Sequence, residues 1–178
     1  GLAFQLFQAK RSDEGIALLN SWLDNNPNDA PVLLNLANYQ LGQDSLDAAT
    51  LLYEKVLTIQ GNNVLALNNL AWLYKDKQPE KALELINQAL ALTPDAAAIN
   101  DTLATVLLAN NRPEDAERAI KKALKADNKN PSLLYHQAQI LVALEKSGAA
   151  KDILEKLMIA PKAFAEHEQA NQLLNSLK

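Results

Sequence analysis

Apolar residues along this chain recur at intervals of three and four, which is the spacing of one face of an amphipathic helix. In a typical stretch, Ala49 is followed by Tyr53 four positions later and by Val56 three positions after that. With proline, asparagine and glycine standing between the periodic stretches, the pattern predicts helices near 1–9, 13–25, 30–42, 46–60, 64–76, 79–92, 97–109, 113–126, 131–145 and 147–159. The sequence therefore predicts an all-α fold.

The helical pattern is itself repeated, with a period of about 34 residues. Small residues mark one position of each repeat: Ala3, Ala37, Ala71, Ala104 and Ala138. A second series keeps the same period: Gly15, Ala49, Ala82, Ala116 and Ala150. Both series shorten by one at the same repeat, so one residue is missing between Ala71 and Ala82. Because small side chains let helices approach closely, we expect both series to face a neighbouring helix.

Bulky residues keep the same period and predict a core between successive pairs of helices. One series lies four residues after the second small residue: Leu19, Tyr53, Ile86, Ile120 and Leu154. Another lies three positions further on: Trp22, Val56, Ala89, Ala123 and Leu157. The second series predicts that Trp22 is a structural core residue. The linkers are short, about two to five residues, so neighbouring helices must be antiparallel.

A helix pair with Leu-Ala in its first helix, Ala and a bulky residue in its second, and proline at its end resembles the tetratricopeptide repeat. The chain departs from that pattern at Gln137, which replaces the usual leucine, and the aromatic typical of the first helix occurs only as Tyr74. The resemblance implies a right-handed superhelix of about five hairpins with a concave, protein-binding groove. We expect one solenoid domain over 1–178, whose units are a truncated repeat 1–29, then 30–63, 64–96, 97–130 and 131–161, and a capping helix 162–178.

Three segments also resemble the C-terminal repeats of the tetratricopeptide lipoproteins of bacterial PEP-CTERM systems. They are 68–74 (NNLAWLY), 99–104 (INDTLA) and 135–139 (YHQAQ). This resemblance implies a place in the bacterial envelope, periplasmic or membrane-anchored, and a link to exopolysaccharide and exosortase gene clusters. A cytoplasmic location is the alternative.

The two ends of the array lead to different expectations. If Ala3 is the small residue of a first helix, Gly1 falls in the middle of that helix, so we expect a longer array upstream and possible self-association through this face. At the other end, 163–177 predicts a capping helix. Its apolar side is expected to carry Phe164, His167, Asn171, Leu174 and Leu177.

Composition and charge exclude several classes of function. There are 17 basic and 21 acidic residues with no basic stripe, which argues against nucleic-acid binding. The absence of cysteine excludes disulfides, thiolate metal sites and a cysteine nucleophile. No phosphate loop, HExxH motif or nucleophile constellation occurs, so we expect neither catalysis nor a cofactor. His136 and His167 lack the further ligands that a metal site requires.

The resemblance places the first helix of each repeat along the concave groove. One groove position carries Asn35, Asn69, Thr102 and His136. A second carries Asn38, Trp72, Thr105 and Gln139, and a third carries Leu34, Asn68, Asp101 and Tyr135. The lining is polar, mostly uncharged and rich in amides, and each amide is both a donor and an acceptor.

This lining leaves three interpretations open. The asparagines could simply solvate the inner wall, they could bind an extended peptide, or they could bind sugar hydroxyls, with Trp72 or Tyr135 as an anchor. Some tetratricopeptide domains grip a C-terminal carboxylate with lysine and arginine. That mode is disfavoured, because Lys75 stands alone near those positions. The leading hypothesis is a non-catalytic protein–protein interaction scaffold in envelope exopolysaccharide export, and direct carbohydrate binding is the alternative.

Overall fold

The computed structural model describes residues 11–159 and 164–177, which form helices and short connections without strands. The helices are α1 (Ser12–Asn25), α2 (Ala30–Gly42), α3 (Leu46–Ile59), α4 (Val64–Tyr74), α5 (Pro79–Leu92), α6 (Ala97–Ala109), α7 (Pro113–Ala126), α8 (Pro131–Ala143), α9 (Ser147–Ile159) and α10 (His167–Ser176). The all-α prediction is confirmed, and the predicted bounds agree to within two residues up to α9. The helix predicted at 1–9 lies outside the described residues.

The helices form antiparallel pairs, α2 with α3, α4 with α5, α6 with α7 and α8 with α9. Each helix also packs against the one that follows it, and α6 contacts both α4 and α8. The first helices of these pairs therefore lie side by side. We call α2, α4, α6 and α8 the inner helices.

Asparagine or aspartate side chains cap three of the four inner helices. Asp29 accepts a hydrogen bond from the Val32 amide, and Asn63 accepts one from the Ala66 amide, both at 3.1 Å. Asn130 caps α8 in the same way. Each cap satisfies a backbone donor that the first turn of a helix leaves unpaired, so the sequence fixes where these helices begin.

The core is built from the two series of small residues and the bulky residues between them. The small residues of α2 to α9 are fully buried: Ala37, Ala49, Ala71, Ala82, Ala104, Ala116, Ala138 and Ala150. Tyr53, Ile86, Ile120 and Leu154 fill the equivalent bulky positions and are equally inaccessible. This burial confirms the prediction that the small residues face a neighbouring helix. A larger side chain at these positions would hold the helices apart.

Trp22 is the exception, and the prediction that it is a core residue is wrong. Its side chain is 52% exposed, although the equivalent Val56 and Ala89 are fully buried. The indole Nε1–H donates to the carboxylate of Asp29 at 2.8 Å. This bond holds the ring along the outside of the connection between α1 and α2.

The turns inside the pairs explain why the repeat 64–96 is one residue shorter than the others. Asp44, Asn111 and Glu145 occupy the same position of their turns and adopt left-handed backbone conformations, with φ of 58°, 55° and 60°. The equivalent residue is absent between α4 and α5. There α4 ends two residues earlier than the other inner helices, and residues 75–77 form a different turn.

The C-terminal helix begins later than predicted, and Asn171 is wrongly placed on its packed side. Leu174 is buried as predicted, and Phe164 and Leu177 pack against the same core group. The helix starts at His167 instead of residue 163, and residues 165 and 166 form a turn before it. Ala170 and Leu174 are buried against the preceding pair, whereas Asn171 is exposed. Ala170 and Leu174 lie three and seven residues after His167 and therefore share one side of the helix. Ala170 takes the inner position that was predicted for Asn171.

Candidate interaction groove

Amide side chains of α2 and α4 meet around the hydroxyl of Tyr53. The Tyr53 hydroxyl donates to Oδ1 of Asn38 at 2.6 Å and accepts from Nδ2 of Asn69 at 2.8 Å. Asn69 Nδ2 also lies 3.3 Å from Asn38 Oδ1. Burial raises the pKa of Tyr53, so its hydroxyl keeps its proton and its donor role. Two predicted groove residues are therefore tied to each other, through a tyrosine that was not predicted to reach the groove.

Asn68 extends this group and leaves one acceptor unused. Its Nδ2 donates to Oδ1 of Asn69 at 3.1 Å. Its own Oδ1 is buried and makes no hydrogen bond. Asn35, one turn from Asn38 on α2, is exposed. The amide row thus combines side chains held by their neighbours with one that faces solvent.

Asp101 and His136 link α6 to α8. The Nδ1 atom of His136 lies 2.7 Å from Oδ1 of Asp101, and both side chains are largely buried. The ring of His136 is 5.7 Å from that of Tyr135. The contact connects two neighbouring inner helices, as Asn69 and Asn38 connect α4 to α2.

Tyr135 closes the row at the C-terminal end. It is buried, and its hydroxyl accepts from Nε2 of Gln139 at 3.0 Å. Burial, and then the negative charge of Glu166, raise the pKa of Tyr135. Glu166 itself accepts a hydrogen bond from Ser132 at 2.7 Å. The turn that precedes α10 is therefore tied to the start of α8.

The two threonines contribute less open surface than the sequence predicts. Thr102 is buried, and Thr105 donates its hydroxyl to the Thr102 carbonyl at 2.9 Å within α6. Of the predicted groove residues, Asn35, Asn38 and Trp72 are exposed, while Asn68, Asn69, Asp101, Thr105, His136 and Gln139 are partly buried.

Trp72 stands at the end of α4 with 37% of its surface exposed. The ammonium of Lys75 lies 4.4 Å from the centre of the indole ring, in a cation–π contact, and pairs with Asp76 at 2.9 Å. Trp72 also lines a cavity of about 310 Å³, with the start of α3 on the other side. The anchor role that the sequence suggested for Trp72 thus falls at a partly enclosed position.

A second polar cluster surrounds the hydroxyl of Tyr74, two residues after Trp72. The Tyr74 hydroxyl donates to Glu54, and Lys81 donates to Tyr74 at 3.2 Å while lying over its ring. Burial, and then the hydrogen bond to Glu54, raise the pKa of Tyr74. Because these residues belong to α3, α4 and α5, the cluster joins two helix pairs. From the sequence, only Tyr74 was identified, as the aromatic residue typical of a first helix.

Neither a metal cluster nor a membrane span occurs in the described part of the chain. The His, Asp and Glu residues of 11–159 and 164–177 form no group of three or more suited to hold a metal ion. None of the helices placed there combines the length and the apolar composition that crossing a bilayer requires.

Repeated antiparallel helix pairs, with inner helices side by side, define an α-solenoid. Residues 73–140 match the tetratricopeptide repeat family. This match confirms, within residues 73–140, the resemblance to the tetratricopeptide repeat that the sequence pattern predicted.

The known proteins that are similar to this chain include the following three. Cellulose synthase operon protein C of Pseudomonas fluorescens (strain SBW25) is 28% identical over 131 residues, which is 73% of this chain and 10% of that protein. MamA from residue 41 of Desulfovibrio magneticus RS-1 superposes with a TM-score of 0.75 at 19% identity, covering 95% of this chain and 92% of its own. A thermophilic TPR protein of Thermus thermophilus reaches 0.74 at 21% identity, covering 98% and 96%. At such identities the two structures show the fold alone, and that fold confirms the predicted helical solenoid.

Proposed function

We propose that this chain is a non-catalytic scaffold that holds an extended segment of a protein partner along its inner helices. The observation that carries the proposal is the row of polar side chains that crosses these helices and is fixed by contacts between them. Asn69 is held to Asn38, and His136 is held to Asp101. Because these side chains are already ordered, a partner that hydrogen-bonds to them does not bear the entropy of ordering them.

We further propose that the partner belongs to an exopolysaccharide-export assembly of a bacterial envelope. The similarity to cellulose synthase operon protein C supports this proposal, although the matched part is only 10% of that relative. The resemblance of 68–74, 99–104 and 135–139 to envelope lipoprotein repeats points the same way. We also propose that 1–178 forms one solenoid domain with the repeat units given above.

Site-specific photo-crosslinking in the native host tests this function. A benzophenone amino acid at Asn35 places the probe on the exposed part of the inner surface. The same probe at Leu51, which is 67% exposed on α3, serves as the matched control. We expect Asn35 to capture a polysaccharide-assembly or secretion component that Leu51 does not. Capture of cytosolic chaperones, or equal labelling from both positions, would overturn the proposal.

Direct carbohydrate binding by the amide row is the second candidate. The observation that favours it is the unused acceptor of Asn68 in a row that also carries the exposed amide of Asn35. If a sugar binds here, neutral oligosaccharides should shift the side-chain amide signals of Asn68 and Asn69 in NMR spectra. Unchanged signals across a panel of glycans would leave only the protein-partner proposal.

A further inference from the structure

The repeat 64–96 differs from the others at one place, and a cavity lies at that place. This repeat is one residue shorter, α4 ends at Tyr74, and residues 75–78 connect it to α5. The cavity, of about 310 Å³, lies between this connection and the start of α3, which contributes Leu46, Asp47 and Thr50. Its volume is at the lower end of the range of ligand pockets, roughly 300 to 1,000 Å³.

The lining combines an aromatic wall with a balanced polar rim. Trp72 and Leu46 supply apolar surface, and both are partly exposed. Two carboxylates, Asp47 and Asp76, are matched by the ammonium groups of Lys75 and Lys77, so the rim is formally neutral. The hydroxyl of Thr50 donates to the Leu46 carbonyl, which leaves its oxygen free to accept a hydrogen bond.

We propose that this cavity is a binding site for a neutral pyranose ring of a saccharide. The C–H bonds on one face of a pyranose carry a small positive charge and complement the negative face of an indole ring. Because the ammonium of Lys75 lies over one face of Trp72, the sugar would stack on the other. The hydroxyl groups at the edge of the sugar match the carboxylates and ammonium groups of the rim and the amide of Gln78. A balanced rim favours neither an anionic nor a cationic ligand.

This site goes beyond the proposed groove function and does not depend on it. The cavity shares Trp72 with the predicted groove positions, but its other lining residues belong to α3, the end of α4 and the connection to α5, whereas the amide row crosses the inner helices. The crosslinking position Asn35 does not line the cavity. The two proposals can therefore fail separately.

Tryptophan fluorescence provides a local test, because the chain has only two tryptophans. In a Trp22→Phe variant, Trp72 is the sole tryptophan. The substitution removes the hydrogen bond from Trp22 to Asp29, and neither residue lines the cavity. Neutral gluco-, manno-, galacto- and N-acetylglucosamine oligosaccharides are titrated into the full chain. We expect at least one series to shift Trp72 emission to shorter wavelength and to saturate, with a dissociation constant on the order of 1 mM.

Two variants and one control decide where the sugar binds. Inserting an asparagine after Asp76 restores the repeat length of the other units, and Trp72→Ala removes the aromatic wall. We expect calorimetry to show at least tenfold weaker binding to each, with the helical circular dichroism signal retained. Thr58→Ala, at an exposed hydroxyl of α3 outside both the cavity and the amide row, should bind as the parent does.

Two results would overturn this proposal. One is a folded Trp22→Phe protein whose emission responds to no sugar of the panel. The other is binding that survives both the insertion and Trp72→Ala but is lost in Asn35→Ala, which would assign the sugar to the amide row. Neither result bears on the crosslinking of a protein partner at Asn35.

Discussion

Asn100 shows how one polar residue can be required inside an apolar repeat. It occupies the position that Leu33 and Leu67 fill in the two preceding repeats, and only 1% of its surface is exposed. Its Nδ2 donates to the carbonyls of Pro94 and Ala96 at 2.9 and 3.0 Å, while its Oδ1 has no partner. The side chain therefore acts as a donor that fixes the connection between α5 and α6. The sequence pattern gave no sign of this role, because periodicity predicts a leucine there.

Asn100→Asp should destabilise the fold strongly at neutral pH. The substitution would place a buried carboxylate against two carbonyl oxygens, and we expect a loss of roughly 3 kcal/mol or more in the free energy of unfolding. Protonation restores one donor, so the pKa of the new carboxyl should be raised in the folded state. The loss should then be small at acid pH and grow as the pH rises through the unfolded and then the folded pKa. Urea unfolding at several pH values measures this.

Asn62→Asp is the matched control, since Asn62 lies exposed in the turn between α3 and α4. It makes the same chemical change without burial and should alter stability by less than about 0.5 kcal/mol. Equal effects of the two substitutions would show that the Asn100 donor bonds are unimportant.

Tyr53→Phe should weaken the fold and change its response to alkali. The variant loses the hydroxyl that joins Asn38 to Asn69, and we expect a cost of about 1 kcal/mol at neutral pH. Burial raises the folded pKa of Tyr53, so its contribution is present below the unfolded value of about 10 and is lost as the pH rises through the folded value. The variant should therefore lose less stability above about pH 10 than the parent does.

Denaturant unfolding between neutral and alkaline pH checks this result. The pKa of Tyr74 and that of Tyr135 are also raised, and both residues remain in the variant, so the alkaline loss should become smaller without vanishing. Thr58→Ala removes an exposed hydroxyl that bonds only within α3 and should leave the pH profile unchanged. A Tyr53→Phe profile parallel to that of the parent would show that the buried phenol does not contribute.

At the scale of the helices, the sequence predicted most of the structure. Periodicity and end signals placed the helices because each buries one face and is bounded by caps and prolines. Trp22 was misassigned because its position in the repeat does not show what covers it. The start of α10 was misplaced because α10 lies outside the repeat, whose period placed the other helices. The groove positions followed from the repeat. Their bonds to Tyr53 and between helices did not, because these contacts join residues far apart in sequence.

The left-handed turn residues offer a test at this scale. Glu145 adopts φ of 60°, a conformation in which a side chain with a Cβ is disfavoured by about 1 kcal/mol, whereas Asn111 at 55° is a residue type that tolerates it. Glu145→Gly should therefore raise the free energy of unfolding by about 0.5 to 1 kcal/mol. Asn111→Gly should change it little.

Thermal and denaturant unfolding of both variants measure the difference. Circular dichroism should show unchanged helix content, because each residue lies between helices. Destabilisation by Glu145→Gly would mean that the turn is held by the glutamate side chain and not by its backbone conformation.

At the scale of the whole molecule, the core is divided along the chain. One group of buried residues extends from Leu33 to Val106, a second from Ala104 to Ile140, and a third from Tyr135 to Leu174. Because each pair of helices is covered mainly by its neighbours, stability is expected to be a sum over repeats and the contacts between them. The fold thus supports opening from one end without loss of the remainder.

Leu154→Ala tests this divided stability. Leu154 is fully buried in the third group, and its truncation should cost about 2 to 5 kcal/mol. Because Leu154 belongs to the third group of buried residues and not to the first, we expect this loss to open α9 and α10 while α3 to α6 keep their packing. Ile86→Ala makes a comparable truncation in the middle of the array, where helices lie on both sides. Hydrogen exchange should therefore show lost protection in α9 and α10 for Leu154→Ala, and across α3 to α6 for Ile86→Ala.

Uniform loss of protection in both variants would mean that the array unfolds as one cooperative unit. The groove would then be unable to loosen at one end to admit a partner while the rest stays folded.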